Sequence, residues 1–148
     1  MKLSSILFFL VPTLFIACGK DEPPITVGEI SSCHDKTVWD SLTTSNELIG
    51  EWDWKYVEYF WSPSSDGSCE YDGLSINFKT DGTLEVWKNG QISQTAIWNV
   101  VNESGNLFML KFEPWIEQLP GRIYFCDDLL VFYLTYADGS DNYFKRKE

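Results

Sequence analysis

From residue 50 onward the chain is a succession of short segments in which apolar and polar residues alternate, and few folds accept that pattern. Trp52, Trp54 and Tyr56 alternate with Glu51, Asp53 and Lys55, the two-residue period of a strand with one buried face. Beyond Val57 the aromatics change phase, to Tyr59 and Trp61 against Glu58, which predicts a bulge or sharp bend. Leu74, Ile76 and Phe78 then alternate with Ser75, Asn77 and Lys79. Asp81-Gly82 and Asn89-Gly90 are hairpin turns, because these residues tolerate the positive φ that tight turns demand. Further strands are expected over 84–88, 92–100, 107–112, 122–126, 129–136 and 142–146. They are separated by turns at 102–106 and Asp138-Gly139, and by a longer loop over 114–121.

Eight strands with short connections, and no helix long enough to cross over, predict an all-β antiparallel up-and-down meander. Closing it into a barrel removes the two exposed edges, and eight strands leave room for side chains or one small ligand. A two-sheet sandwich is the competing architecture. Ahead of the strands, residues 31–48 have a mixed pattern. Asp35 as a cap, with Val38, Trp39 and Leu42 on one side, predicts one or two helical turns over a barrel end.

The N-terminal residues belong to export rather than to the fold. Lys2 is followed by a nearly unbroken apolar run from Ile6 to Ile16, too short for a membrane span of about 20 residues. Phe15-Ile16-Ala17-Cys18 resembles the lipobox of bacterial lipoproteins, although Phe15 stands where leucine is usual. The resemblance implies a signal peptide over 1–17, with Cys18 acylated by chains such as palmitate and left as the new N-terminus. The alternative is an ordinary secretory signal that leaves Cys18 an incidental thiol. Residues 18–30 read as a charged, proline-containing tether and 31–148 as the domain. Lys20-Asp21-Glu22 resembles the surface-export signal of some Gram-negative lipoproteins, and equally suits a plain solvated tether. The expected location is the cell envelope, on the outer membrane.

Charge limits the partners. The chain carries a net charge of −11, and losing residues 1–17 removes Lys2 and no acid. That balance argues against nucleic acid and against electrostatic adhesion to anionic lipid. The expected membrane contact is therefore through the acylated cysteine, and the chain is expected to be monomeric.

The strands carry a further resemblance. Gly50-Glu51-Trp52 is similar to the Gly-x-Trp signature of lipocalins. Residues 76–83, reading INFKTDGT, and the ending Tyr143-Phe144-Lys145-Arg146 resemble compact bacterial lipocalin-like lipoproteins. The resemblance covers roughly 48–147 and implies a short calyx. It also implies that Arg146, from the last strand, lies over Trp52 and closes the barrel base.

Cys33, Cys69 and Cys126 remain after export, where one disulfide is the simplest expectation. Strand polarity sets Cys126 at the base, and Cys33, preceding the first strand, can meet it there. Cys33–Cys69 is the alternative if the N-terminal segment climbs the wall. No cysteine spacing matches a metal site and no cofactor is expected.

Catalysis lacks residues in this sequence. His34 is the sole imidazole, and no orienting motif accompanies its neighbour Cys33. Asp127-Asp128 falls at a strand-to-strand turn, where acids bond their own backbone. The chain is therefore expected not to be an enzyme. Binding rests instead on aromatics: most must fill the barrel, but Trp61 and Trp115 lie on connections at the expected mouth. Two readings follow. One is a carrier of a small apolar ligand; the other is a surface module for glycan or protein with a filled interior.

Overall fold

The computed structural model describes residues 25–61 and 71–148. The leader, Cys18, the Lys20-Asp21-Glu22 motif and Cys69 lie outside the described residues. Two short helices, α1 (Val27–His34) and α2 (Ser41–Leu48), precede eight strands. These are β1 (Gly50–Tyr59), β2 (Leu74–Phe78), β3 (Thr83–Lys88), β4 (Gln91–Ser104), β5 (Leu107–Glu113), β6 (Arg122–Cys126), β7 (Leu129–Tyr133) and β8 (Ser140–Arg146). Each strand pairs with its neighbours in sequence and β1 pairs with β8, so the antiparallel meander closes into a barrel. The sandwich is thereby excluded.

The change of phase in β1 falls two residues earlier than the aromatic pattern suggests. Its register against β8 shifts between Trp54 and Tyr56, so Lys55 is the bulged residue. Trp52, Trp54 and Val57 consequently join the interior, whereas Tyr56 turns to the outer wall. The outer wall at this place needs an apolar residue because α1 covers it. Ile30 is fully buried against Tyr56, Tyr124, Val131 and Tyr143.

That helix corrects the expected tether, which does not extend to residue 30. A capping box starts α1: the Thr26 hydroxyl accepts from the Glu29 amide, and the Glu29 carboxylate accepts from the Thr26 amide. The expected cap at Asp35 is also corrected, since Asp35 ends α1 instead of starting a helix. Asp40 caps α2, its carboxylate accepting from the Thr43 amide at 2.7 Å. Val38 and Leu42 are exposed, and only Trp39 of the anticipated apolar trio packs inward.

Strand limits differ where side chains compete with the ladder. The strand expected over 129–136 stops at Tyr133. Asp141 accepts from the amides of Leu134 and Thr135 at 2.7 and 2.8 Å, which folds that segment into a 3-10 turn. In the other direction, β4 runs on to Ser104, its polar end still paired with β5 through a register shift near Glu103.

The barrel wall has one weak seam. Strands β5 and β6 share a single paired position, Met109 with Arg122. Three residues further along each strand, the same register would set Asn106 opposite Phe125. The His34 ring occupies that place instead. Its Nδ1 accepts from the Phe125 amide at 3.1 Å, and its Nε2 lies 3.4 Å from the Asn106 carbonyl. Because the Phe125 N–H must donate, Nδ1 is bare and Nε2 carries the proton. Trp39 stacks on the imidazole at 4.9 Å and donates its indole N–H to the His34 carbonyl at 2.9 Å. The main-chain amide of Trp39 donates to the Asn106 side chain at 2.8 Å. A neutral imidazole thus replaces a ladder hydrogen bond between two strands.

Burial holds the His34 pKa below the ordinary 6.5, while the Asn106 carbonyl and Asp35 pull it the other way. The ring is neutral in the folded chain and takes a proton once exposed. Its contribution is therefore intact above about pH 6.5 and is lost as pH falls below that value. Glutamine at this position offers an acceptor and a donor without titrating. We predict that the stability of the native chain relative to His34→Gln falls between pH 7 and 5, by at most about 1.4 kcal/mol per pH unit. Urea midpoints whose difference stays constant over that range would contradict it.

Candidate functional site

Among the described residues, side chains fill the barrel interior. Trp52, Phe78, Phe132 and Phe144 are each no more than 1% exposed and fill the space between the strands. Both ends are closed by core residues from connections. Leu48 of α2 joins the interior at the base, and Ile116 and Leu119 of the 114–121 loop join it at the other end. Gly121 ends that loop at φ 122°, where an added Cβ would come within 2.4 Å of the Tyr133 carbonyl oxygen.

At the base, the guanidinium carbon of Arg146 sits 4.0 Å from the centroid of the Trp52 ring. The same guanidinium donates to the carbonyls of Ile49 and Glu47 at 3.1 and 2.7 Å, and to the Glu47 carboxylate at 2.6 Å. The Trp52 indole donates to the Leu48 carbonyl at 2.8 Å. Arg146 and Trp52 together satisfy three carbonyls at the C-terminal end of α2, where helices leave acceptors unpaired. This cluster is structural, as the sequence resemblance implies.

Cys33 and Cys126 are joined in a disulfide with their Cα atoms 5.4 Å apart, pinning the end of α1 to the end of β6. Together with Asp127 they form a triplet at metal-ligand spacing, but both sulfurs are committed to each other. His34 has both ring nitrogens engaged in the seam, so the adjacent cysteine and histidine form no nucleophilic pair. Asp127 has φ 52°, and Asp128 pairs with Lys145 at 3.1 Å, which leaves the two acids as turn residues.

Trp61 and Trp115 both follow strands that run toward the end away from Trp52 and Arg146, and both are exposed. They do not share one site. Trp61 stacks on Tyr59 at 5.6 Å, beside β1. Trp115 leans on Phe112 at 5.2 Å, and its carbonyl accepts from the Gln94 side chain at 2.8 Å. Around Trp115 lies an open cleft of about 460 Å³, lined also by Ile97, Asn99, Lys111, Phe112 and Glu113. Cross-strand pairing sets Ile97 opposite Glu113 and Asn99 opposite Lys111 on the outer face of the β4–β5 pair. An apolar floor with amide and charged groups at its rim results.

A second cleft, of about 260 Å³, opens beside the start of α1 between Val27, Tyr59, Phe60, Tyr133 and Thr135. Asp141, fully buried at its floor, is opposite Glu58 in the β1–β8 pair. Burial lifts its pKa to about 6, and the Glu58 charge adds to the rise while the bonds from Leu134 and Thr135 oppose it. Tyr143 donates to Glu58 at 3.3 Å, and burial pushes its phenol upward as well. Asp141 has three donors (two amides and the Thr135 hydroxyl), so it works as a turn anchor. Sequence reasoning missed it, since an acid after Asp138-Gly139 looks like any other turn residue.

No family model, curated protein or solved structure matches this chain.

The base cluster yields a comparison of two arginines. Arg122 also stacks, 4.0 Å from the Tyr136 centroid, and pairs with Glu103, but on the outer wall. Arg146→Ala removes the ring contact and two donors to half-buried carbonyls, and should cost about 2–4 kcal/mol. Arg122→Ala should cost about 1 kcal/mol or less. Equal urea midpoints for the two variants would remove the distinction.

Proposed function

We propose that this chain is a lipid-anchored envelope protein that binds through its outer surface rather than inside its barrel, with the Trp115 cleft taking a short glycan. The filled interior is the observation that carries this reading. A calyx for an apolar ligand needs a cavity of a few hundred Å³, and here aromatic side chains occupy that volume. The cleft is of suitable size for one or two sugar rings and its chemistry fits them. A flat indole held from behind by Phe112 gives a stacking surface for the C–H face of a ring. Asn99, Lys111 and Glu113 offer donors and acceptors to hydroxyl groups at the rim. The strong negative charge disfavours anionic polymers, so a neutral glycan is the preferred occupant.

The anchor is Cys18, with residues 19–24 leading to the first described residue. Lys20-Asp21-Glu22 fits exposure on the cell surface, where a glycan-binding wall would meet its partner.

The proposal predicts that neutral oligosaccharides perturb the tryptophan emission of the native chain saturably. Trp115→Ala should weaken that binding by about tenfold or more, equivalent to about 1.4 kcal/mol. Trp61→Ala should leave the affinity unchanged. A glycan panel without any binder, or equal losses in the two variants, would overturn it. So would a co-purifying apolar molecule seen by native mass spectrometry.

A further inference from the structure

We propose that the end of the barrel bearing Phe60, Trp61 and Tyr136 rests on the surface of a zwitterionic lipid bilayer, the membrane into which Cys18 is inserted. The inference rests on the anchor reading and adds an orientation and a second contact to it.

The exposed aromatic side chains are not scattered. Among the described residues the large exposed aromatics are Phe60 (55%), Trp61 (69%), Trp115 (65%) and Tyr136 (40%). Phe60 and Trp61 follow β1, Trp115 follows β5, and Tyr136 lies between β7 and β8. By the up-and-down order all four lie at the same end, opposite Trp52 and Arg146. The exposed groups nearer the base, Val38 and Leu42, are aliphatic. Tryptophan and tyrosine favour the membrane–water interface, where a ring can be half apolar and half wet.

Three of the four form one patch. The Phe60 amide donates to the Gly139 carbonyl at 3.2 Å, which ties the end of β1 to the turn after Tyr136. Tyr136 leans on Tyr133 at 5.5 Å, and Trp61 on Tyr59 at 5.6 Å. Tyr59, Phe60 and Tyr133 then line the cleft that also holds Val27. Trp115 is separate: β5 is diametrically across the barrel from β1, so its cleft stays free to face sideways.

The path of the chain points this patch at the membrane. Helix α1 begins at the cleft that Val27 lines together with Tyr59 and Phe60, and ends at the base, where Cys33 meets Cys126. The chain therefore arrives from Cys18 at the aromatic end. Seven Cα steps separate Cys18 from Ile25, a reach of about 25 Å when fully extended. Strand β1, with ten residues, is about 33 Å long before tilt is allowed for. A tether shorter than the strand holds the aromatic end near the bilayer, and the base could touch only with the tether drawn taut along the wall.

Charge selects the kind of lipid. Glu58 and Asp138 flank the patch, the cation stacked on it, Arg122 over Tyr136, is paired with Glu103, and the whole chain is acidic, so anionic headgroups repel it. Contact should depend on ring insertion and on the acyl chains, without electrostatic attraction.

The test uses the acylated full chain in phosphatidylcholine vesicles containing brominated acyl chains, which quench only nearby tryptophan. Intact mass and vesicle flotation, with Cys18→Ser alongside, report the anchor separately. We expect partial quenching of the native emission, loss of most of it in Trp61→Ser, and no such loss in Trp115→Ser. Replacing part of the phosphatidylcholine with phosphatidylglycerol should reduce the quenching. An acylated, vesicle-bound chain without quenching, or one quenched equally in both variants, overturns the orientation and leaves the anchor standing. A chain of unacylated mass overturns the anchor and this proposal together. A Trp61-dependent dimer in detergent, by sedimentation, would assign the patch to a second copy of the chain instead.

Discussion

A closed barrel must satisfy every strand edge, and in this molecule the requirement comes down to one buried imidazole. Where β5 and β6 separate, His34 supplies an acceptor to Phe125 and a donor toward Asn106. An unpaired amide buried at this seam would cost about 1–3 kcal/mol. The imidazole is held by contacts on three sides: the Trp39 ring stacked on it, the edge of Tyr124, and the disulfide at the preceding residue. Helix α1, the linker to α2 and the barrel wall are thus one packing unit. The N-terminal segment is a component of the wall.

With the wall closed in this way, the inside can be given over to packing. Aromatic rings occupy it, Leu48 closes the base, and Ile116 and Leu119 close the far end. Close-packed interiors tolerate little added volume, and a ligand would have to displace buried side chains. The features that carry the proposals are on the outside. They are divided between the Trp115 cleft on one wall and the Phe60–Trp61–Tyr136 patch on the opposite side. Two buried ionisable groups add opposite pH tendencies to this framework. His34 favours higher pH, whereas Asp141, with its pKa lifted to about 6, is relieved of its burial cost as pH falls through that value.

The strand order was legible because alternation and Asp-Gly or Asn-Gly turns are local signals, each read within a few residues. Pairing Cys33 with Cys126 followed from counting strand directions, and the seating of Arg146 over Trp52 followed from a family resemblance. Features that depend on distant partners were not legible. Nothing near His34 indicates that the ring will enter a ladder between strands 72 and 91 residues away. The retreat of β7 to Tyr133 depends on a carboxylate that becomes a competitor only once buried. The α1 capping box was present in Thr26-x-x-Glu29. It was obscured by the preceding prolines and acids, whose composition is that of a tether. At the proposed binding surfaces, alternation and turns put Trp61 and Trp115 at one end, but not the separation that the barrel's width imposes on them.

On the proposed reading of a chain held at its N-terminus, the disulfide has a mechanical meaning. Cys33 and Cys126 are 93 residues apart in the chain and adjacent in space, so everything from α2 to β6 lies within one covalent ring. The Trp115 cleft is part of that ring. If a partner in the cleft is pulled away from the proposed anchor, tension leaves the ring at residue 33 and passes along α1 toward the N-terminus. Peeling α1 from the wall can then proceed only as far as the bridge. The strands behind it are loaded as a closed loop, and the C-terminal pair, β7 and β8, lies outside the direct line of force. Reduction would remove that stop and let the same pull strip His34 from its seam.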